Sequence, residues 1–392
     1  MSWPLISRSP DLMLLVEEGY ELEVRGSYLL IKHVPYVTLE REVACGTLIS
    51  TLELAGEVTT KPTGHEAHFC GATPCDSAGQ PLTKIINESS SRELAPGLIA
   101  DHFFSAKPSD GYRDYHHKMT SYVAMLAGPA QELNPEATAR THPLIVPNGD
   151  EEDIFVYRDT GPARAEIEAL SSKLRIGPVA IVGLGGGGAY MLDLLAKTPV
   201  AEIHLYDGDY FGQHNAFRGP GAASCDELRP PPQKVAYWKQ RYSPMHRKIF
   251  EHDYFLDESN VSELRNMAFV FIALDDPEAK RPIIAELEDA GLPFIDIGMG
   301  INEVDNSLRG LIRVTTSTPS MREHVRERVS LERGVDGGDY DRNIQIAELN
   351  ALNAALAVIR FKKFFGFYAD DIGEHNSTYV LSEGSLLSED RA

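Results

Sequence analysis

The stretch VAIVGLGGGGAYMLDLL, Val179 to Leu195, constrains this chain more than any other. Gly183, Gly185, Gly186, Gly187 and Gly188 stand where a short apolar run gives way to a helical pattern. Glycine enters φ > 0 freely and carries no Cβ, so a ligand can approach the backbone closely. A helix opening at that point adds unpaired N–H donors and the positive end of its dipole. Asp207, in IHLYDGDYFGQHNAFRG, lies 24 residues after Gly183 at the end of the next apolar run. A carboxylate in that place grips ribose hydroxyls. Turn and carboxylate together suit NAD, FAD, S-adenosylmethionine or ATP, and a glycine-rich turn also serves packing alone.

The flanking pattern gives the architecture. VAIVGL reads as a strand, AYMLDLLAKT as a helix and AEIHLYD as a second strand. AFVFIALDD is a third strand, EAKRPIIAELEDAG its following helix and PFIDIGMG a fourth strand. Strands alternating with helices imply a Rossmann-like α/β fold with a mostly parallel sheet and right-handed crossovers. IQIAELNALNAALAVIRFKKFF is a long, mostly apolar helix, and STYVLSEGSLL closes the chain as a strand or hairpin.

Upstream the character differs. YELEVRGSYLLIKHVPYV alternates around Gly26, a hairpin signal, and GTLISTLELAGEV is a further strand ending in a glycine turn. YHHKMTSYVAMLAGPAQEL has helical spacing, with Met119, Tyr122, Val123 and Leu126 on one side. The proline- and acid-rich segment from Asn134 to Asp153 reads as a linker, followed by a helix over GPARAEIEALSSKL. The chain of 392 residues is therefore read as two domains, a smaller α+β accessory domain at 1–150 and a nucleotide-binding domain at 151–392.

Charge and composition exclude several classes. Against 37 basic residues stand 58 acidic ones, a net of −21, which repels phosphate backbones and argues against nucleic acid as partner. No window is apolar enough to span a membrane, and the N-terminus lacks a signal-peptide pattern, so a cytoplasmic protein is expected. Four cysteines, Cys45, Cys70, Cys75 and Cys225, are too few for a disulfide scaffold. GHEAHFCGATPC offers His65, His68, Cys70 and Cys75 as zinc ligands, but the spacing is not a standard finger and a β-turn with histidine facing out is the commoner explanation. His116 and His117 are adjacent, so they do not face one ion from a single helix face.

The residues after the second strand separate redox chemistry from phosphate chemistry. Asp207, Asp209, Asn215 and Arg218 follow at short intervals, then Lys234 in PPPQKVAYW. A dehydrogenase has no use for cations there, whereas a nucleotidyl transferase needs them to neutralise a leaving pyrophosphate. Asp275, closing the third strand, is well placed to hold magnesium on phosphates.

This combination resembles the ThiF-type adenylyltransferases, the family that includes the ubiquitin-activating enzymes. Their glycine motif is similar to GLGGGG, and their Asp-x-Asp followed by Asn-x-x-Arg resembles Asp207–Asp209 and Asn215–Arg218 without gaps. Their lysine resembles Lys234, after a slightly longer spacer, and their strand-end aspartate resembles Asp275. The likeness runs from about Arg164 to the C-terminus. It implies binding of ATP and magnesium and adenylation of the C-terminal carboxylate of a ubiquitin-like protein, within a bacterial conjugation pathway. By position, Gly185 to Gly188 would cradle the nucleotide and Asp207 the ribose. Asn215, Arg218 and Lys234 would order the phosphates, and Asp275 the metal. A homodimer is implied too, with Arg158 or Arg164 as the arginine lent between subunits, and a conjugating transferase as a further partner.

Two departures bear on the reaction. The paired Cys-x-x-Cys zinc motif of sulfur-carrier activators is absent, since no cysteine follows Cys225. The crossover loop, RVTTSTPSMREHVRERVSLERGVDGGDY, also lacks the catalytic cysteine of conjugating members. Candidate acyl acceptors are then Cys225, or Ser317, Ser320 and Ser330 with His324 as base. A Ser/Thr run is also ordinary turn chemistry, and a hydroxyl is a poor nucleophile without a base. Activation of a short peptide or sulfur carrier without acylation of the enzyme, and a non-catalytic nucleotide-binding scaffold, are the alternatives. The segment ahead of the glycine turn resembles an uncharacterised domain found before ThiF-type domains in bacteria, which implies partner recognition.

Overall fold

The computed structural model describes residues 3–146, 153–165, 167–331 and 344–391. The chain separates into one unit of Met1–Asn148 with Thr160–Glu166 and a second of Gly149–Asp159 with Ile167–Ala392.

In the first unit, helices α1 (Trp3–Arg8) and α2 (Pro10–Glu17) precede a run of antiparallel strands. These are β1 (Leu22–Arg25), β2 (Tyr28–Val37), β3 (Val43–Thr51), β6 (Glu66–Cys70), β7 (Ile86–Ala95) and β8 (Leu98–Ser105), in the order β1-β2-β3-β6-β8-β7. A two-stranded ribbon of β4 (Leu54–Ala55) and β5 (Val58–Thr59) stands apart. Gly26 turns the first hairpin at φ +58°, as the alternation around it predicts. Helix α3 (Tyr115–Leu133) is capped by Asp114, whose carboxylate accepts from the His117 N–H at 2.7 Å. It buries Tyr115, Met119, Tyr122, Val123 and Leu126 in a core with Leu29, Ile31, Leu48 and Phe69 of the sheet.

The histidine–cysteine cluster of this unit does not converge. His65 meets the Ser105 hydroxyl, His68 lies against Phe103, and the Cys75 thiol donates to the Thr73 carbonyl. Among the described residues no group of three or more His, Cys, Asp or Glu is placed to hold a metal ion.

The helix expected over GPARAEIEALSSKL is two short ones, α4 (Gly161–Arg164) and α5 (Glu168–Ser172), one in each unit. The second unit is built on β9 (Val179–Val182), β10 (Ile203–Tyr206), β11 (Ile249–His252), β12 (Phe269–Ile272), β13 (Phe294–Val304), β14 (Ser307–Ser317), β15 (Glu374–Val380) and β16 (Ser385–Arg391). They form one sheet in the order β11-β10-β9-β12-β13-β14-β15-β16. The pairs from β11 to β13 are parallel and the three remaining pairs antiparallel. This is the mostly parallel α/β sheet that the strand–helix alternation predicts. The expected closing hairpin is β15–β16, and β11 is an addition.

The central strands β9 and β12 are apolar and buried throughout because both faces are covered. Val179, Ile181, Phe269, Phe271 and Ile295 pack with helices α6 (Gly186–Leu195), α8 (Lys234–Tyr242) and α11 (Ala347–Phe364). Ala180, Val182, Val270 and Ile272 alternate to the other face. There they meet α9 (Pro277–Asp289) and a 3₁₀ turn at Val261–Asn266. Among the described residues, no helix is long and apolar enough to cross a membrane.

The sequence reading stops the fourth strand at PFIDIGMG and places Arg313–Tyr340 in a loop. Instead β13 runs on to Val304, turns through Asp305 and Asn306 at φ +51° and +60°, and returns as β14 to Ser317. Thr315, Thr316 and Ser317 are therefore buried strand residues rather than solvated turn. Residues 332–340 of the expected loop lie outside the described residues.

Candidate nucleotide site

The sheet places three segments at one end. Chain order steps from β9 to β10 and β11 on one side, then returns to β12 on the other, so the direction of winding switches at β9. Crevices at such switch points, beyond the carboxyl ends of the strands, are where doubly wound sheets bind ligands. Gly183 follows β9, Asp207 follows β10, and Asp275 lies three residues past β12.

The glycines divide the work among themselves. Gly183 sits at φ +90°, and an added Cβ there would stand 2.6 Å from the Ala273 carbonyl. A Cβ on Gly188 would drive into the Gly183 carbonyl, on Gly186 into the Asn350 amide, and on Gly187 into Ile297. These four are glycine because α6 is pressed against β9, β13 and α11. Gly185, the N-cap of α6, differs: nothing lies within 4 Å of its Cβ position, and its φ of −66° suits any residue. Open space therefore begins at Gly185, over the first N–H groups of α6, which have no partner inside the helix.

Behind the turn, Asp207 is buried, with 6% of its surface exposed. Its carboxylate accepts from the Leu184 N–H at 2.7 Å and the Asp209 N–H at 2.9 Å, and the Lys234 ammonium donates to it at 3.3 Å. The sequence reading gives Asp207 to the ribose; in the structure its carboxylate also ties the turn to α8. Asp209 is the carboxylate of the pair that faces solvent, with 59% of its side chain exposed and Lys234 at 2.8 Å. Lys234 is itself buried as the first residue of α8, where Phe211 stacks on Tyr237 at 3.9 Å.

Asn215, in α7 (Gln213–Ala216), holds the next segment. Its side-chain oxygen accepts from the Gly212 N–H at 2.8 Å, and its carbonyl accepts from the N–H groups of Arg218 and Gly219. Its Nδ2 and the Arg218 Nε are buried donors without a protein partner. Buried donors of this kind cost free energy unless something accepts from them. The Arg218 backbone abuts Gly186, and Asn350 of α11 reaches its carbonyl at 3.5 Å. Asn350 was not foreseen; the one clue was an amide inside an apolar helical pattern.

Asp275 is exposed at the strand end, and its neighbour Asp276 caps α9 by accepting from the Glu278 N–H at 3.0 Å. An exposed carboxylate at a strand end suits magnesium, which takes one or two protein carboxylates and completes its shell with phosphates and water.

The proposed acyl acceptors fare unequally. Ser317 pairs with Phe294, and Val270 is also opposite Phe294, whereas Ile272 at the carboxyl end is opposite Asp296. Ser317, and Ser320 beyond it, thus lie toward the amino end of the parallel strands, away from the glycine turn. Ser317 is also fully buried, and His324 gives its Nε2 to the Thr316 carbonyl instead of to a hydroxyl. The expectation of Ser317 or Ser320 with His324 as base is corrected on these grounds. Ser330 is exposed beyond the short helix α10 (Val325–Arg328). Cys225 is an exposed free thiol between Gly219 and α8. Arg158 falls in the second unit; the Arg164 side chain lies outside the described residues.

Fold and site together define a nucleotide-binding α/β domain of the doubly wound class. Residues 162–305 match the ThiF family model. Residues 10–160 match DUF6791, a domain of unknown function. No curated protein matches the chain. Among solved structures, E. coli MccB with MccA-N7isoASN is 19% identical, over 57% of this chain and 67% of that one, with a TM-score of 0.47. PaaA is 18% identical over 57% and 75%, with a TM-score of 0.43. E. coli MccB with AMPCPP and MccA is 17% identical over 63% and 75%, with a TM-score of 0.46.

Proposed function

We propose that the second unit adenylates the C-terminal carboxylate of a ubiquitin-like protein, using ATP and magnesium, as the activating enzyme of a bacterial conjugation pathway. The observation that carries this reading is the pair of buried, unpartnered donors on Asn215 and Arg218 beside the open N-terminus of α6. In this reading the first N–H groups of α6 and Arg218 bind phosphate oxygens. Asp209 takes the ribose hydroxyls and Asp275 holds magnesium, which neutralises phosphate charge. The carboxylate oxygen of the substrate attacks the α-phosphorus, the bond to the bridging oxygen breaks, and pyrophosphate leaves. No protein nucleophile is required, and orientation with electrostatic stabilisation supplies the catalysis. The first unit serves partner recognition, and Arg158 is available to a second copy in a homodimer.

The test is ATP–pyrophosphate exchange in the presence of the cognate carrier. Exchange should depend on the carrier, and Asp275→Ala should abolish it; full exchange by that variant would refute the metal assignment. A second reading, activation of a short peptide without acylation of the enzyme, is favoured by one observation. No cysteine follows Cys225, and Ser317 and Ser320 lie at the wrong end of the sheet. A hydroxylamine-sensitive acyl-enzyme that disappears in Cys225→Ala would decide against it.

A further inference from the structure

Phe255, in the loop after β11, keeps 62% of its surface exposed, and among the described residues no other ring stacks on it. Its neighbours on both sides are anchored. The Tyr254 hydroxyl donates to Glu263 at 2.7 Å, and Leu256 is buried. The Phe255 carbonyl accepts from the Asn260 side chain at 3.0 Å, and Asn260 in turn accepts from the Asp257 N–H at 2.8 Å. An apolar ring held in water by a fixed backbone is a prepared surface rather than a loose one.

The ring lies over Gly208. A Cβ on that glycine would stand 2.9 Å from the ring edge, so the phenyl in this position packs directly on the glycine backbone and a larger residue would displace it. The backbone here is fixed as well, because the Asp207 N–H donates to the His252 carbonyl and β10 and β11 are parallel. If ribose is held at Asp209 and phosphates at α6, the base extends from the ribose away from the phosphates. Phe255, packed on Gly208 beside Asp209, is an exposed ring next to that ribose position.

We infer that Phe255 is the shelf on which the nucleotide base stacks, and that Gly208 is glycine to seat it. The inference rests on the nucleotide reading above. Base–aromatic stacking changes affinity by about 5- to 100-fold per base when the ring is removed, and it tolerates any base because every base has a π-face. The shelf therefore contributes affinity and orientation, and selection among bases lies elsewhere.

The experiment is direct titration of the full-length protein with ATP, and separately with inorganic triphosphate, by calorimetry. Wild-type protein should bind ATP. Phe255→Ala should weaken ATP about 5- to 100-fold while leaving triphosphate binding unchanged. Phe255→Trp should restore ATP affinity, with its added indole fluorescence quenched by ATP. Equal ATP affinity for wild type and Phe255→Ala overturns the shelf and leaves the nucleotide reading intact. Absence of any ATP binding by the wild type overturns both. Since Phe255 is exposed, the alanine variant should melt with the wild type; equal loss of ATP and triphosphate affinity overturns a role specific to the base.

Discussion

At the scale of single residues, burial sorts the charged set into two jobs. Asp207 and Lys234 are buried and bonded to each other, so removing Lys234 leaves the Asp207 charge without its cation and threatens the fold. Arg218 is only half-buried and its Nε lacks a protein partner, so on the proposed reading its removal takes away a ligand contact rather than a structural one. Arg218→Ala should therefore keep the wild-type melting temperature within about 1–2 °C, as surface-like changes do. Its ATP–pyrophosphate exchange should fall by on the order of 10²- to 10³-fold, the usual loss when one preorganised charge-stabilising donor is deleted. A variant that retains exchange but melts early would reverse the division of labour between Arg218 and Lys234.

At the scale of elements, the glycine turn and the pattern around it were the legible part. Apolar runs of four to six residues separated by a helix period locate β9, α6, β10, β12 and α9, because a parallel sheet covered on both faces leaves no polar strand positions. The short strand β11 escaped, since IFEH exposes Phe250 and Glu251 and shows neither a continuous apolar run nor clean alternation. The β13–β14 hairpin escaped because its turn is Asp305–Asn306, a weaker signal than Asn-Gly for two residues at positive φ. That omission placed Thr315 to Ser317 in a loop and made them look like accessible nucleophiles. Asp207 was legible as a site carboxylate but not as a strut, since its backbone partners appear only once Leu184 folds against it.

The turn itself yields a paired prediction. Gly188→Ala pushes a methyl into the Gly183 carbonyl, a backbone atom that cannot swing aside, and should destabilise the second unit by about 3 kcal/mol or more. Gly185→Ala meets no protein atom and should melt like the wild type, yet its methyl enters the space above the α6 N-terminus and should weaken ATP binding. Chemical denaturation and nucleotide titration of the two variants read the two effects separately. Intact binding by a stable Gly185→Ala protein would show that the phosphates lie elsewhere.

At the scale of the whole molecule, each unit has its own apolar interior, one around Leu29, Phe69 and Tyr122, the other around Ile181, Phe271 and Phe361. Each is long enough to fold around that interior, so calorimetry of the full chain should show two transitions instead of one. The nucleotide residues all belong to the second unit, which gives the transitions different sensitivities. A ligand that binds only folded protein stabilises it by about 2.7 kcal/mol at a hundredfold excess over its dissociation constant. For a unit of about 150–250 residues each kcal/mol moves the midpoint by about 2–4 °C. Saturating AMPCPP with magnesium should therefore raise one transition by about 5–10 °C and leave the other in place. Removing magnesium with EDTA should shrink the shift without lowering either midpoint of the free protein, because among the described residues no cluster of side chains is placed to hold a structural metal. A single transition that moves as a whole with AMPCPP would mean that the accessory unit folds only together with the nucleotide domain, and its role would then have to be sought in the stability of the site as well as in partner recognition.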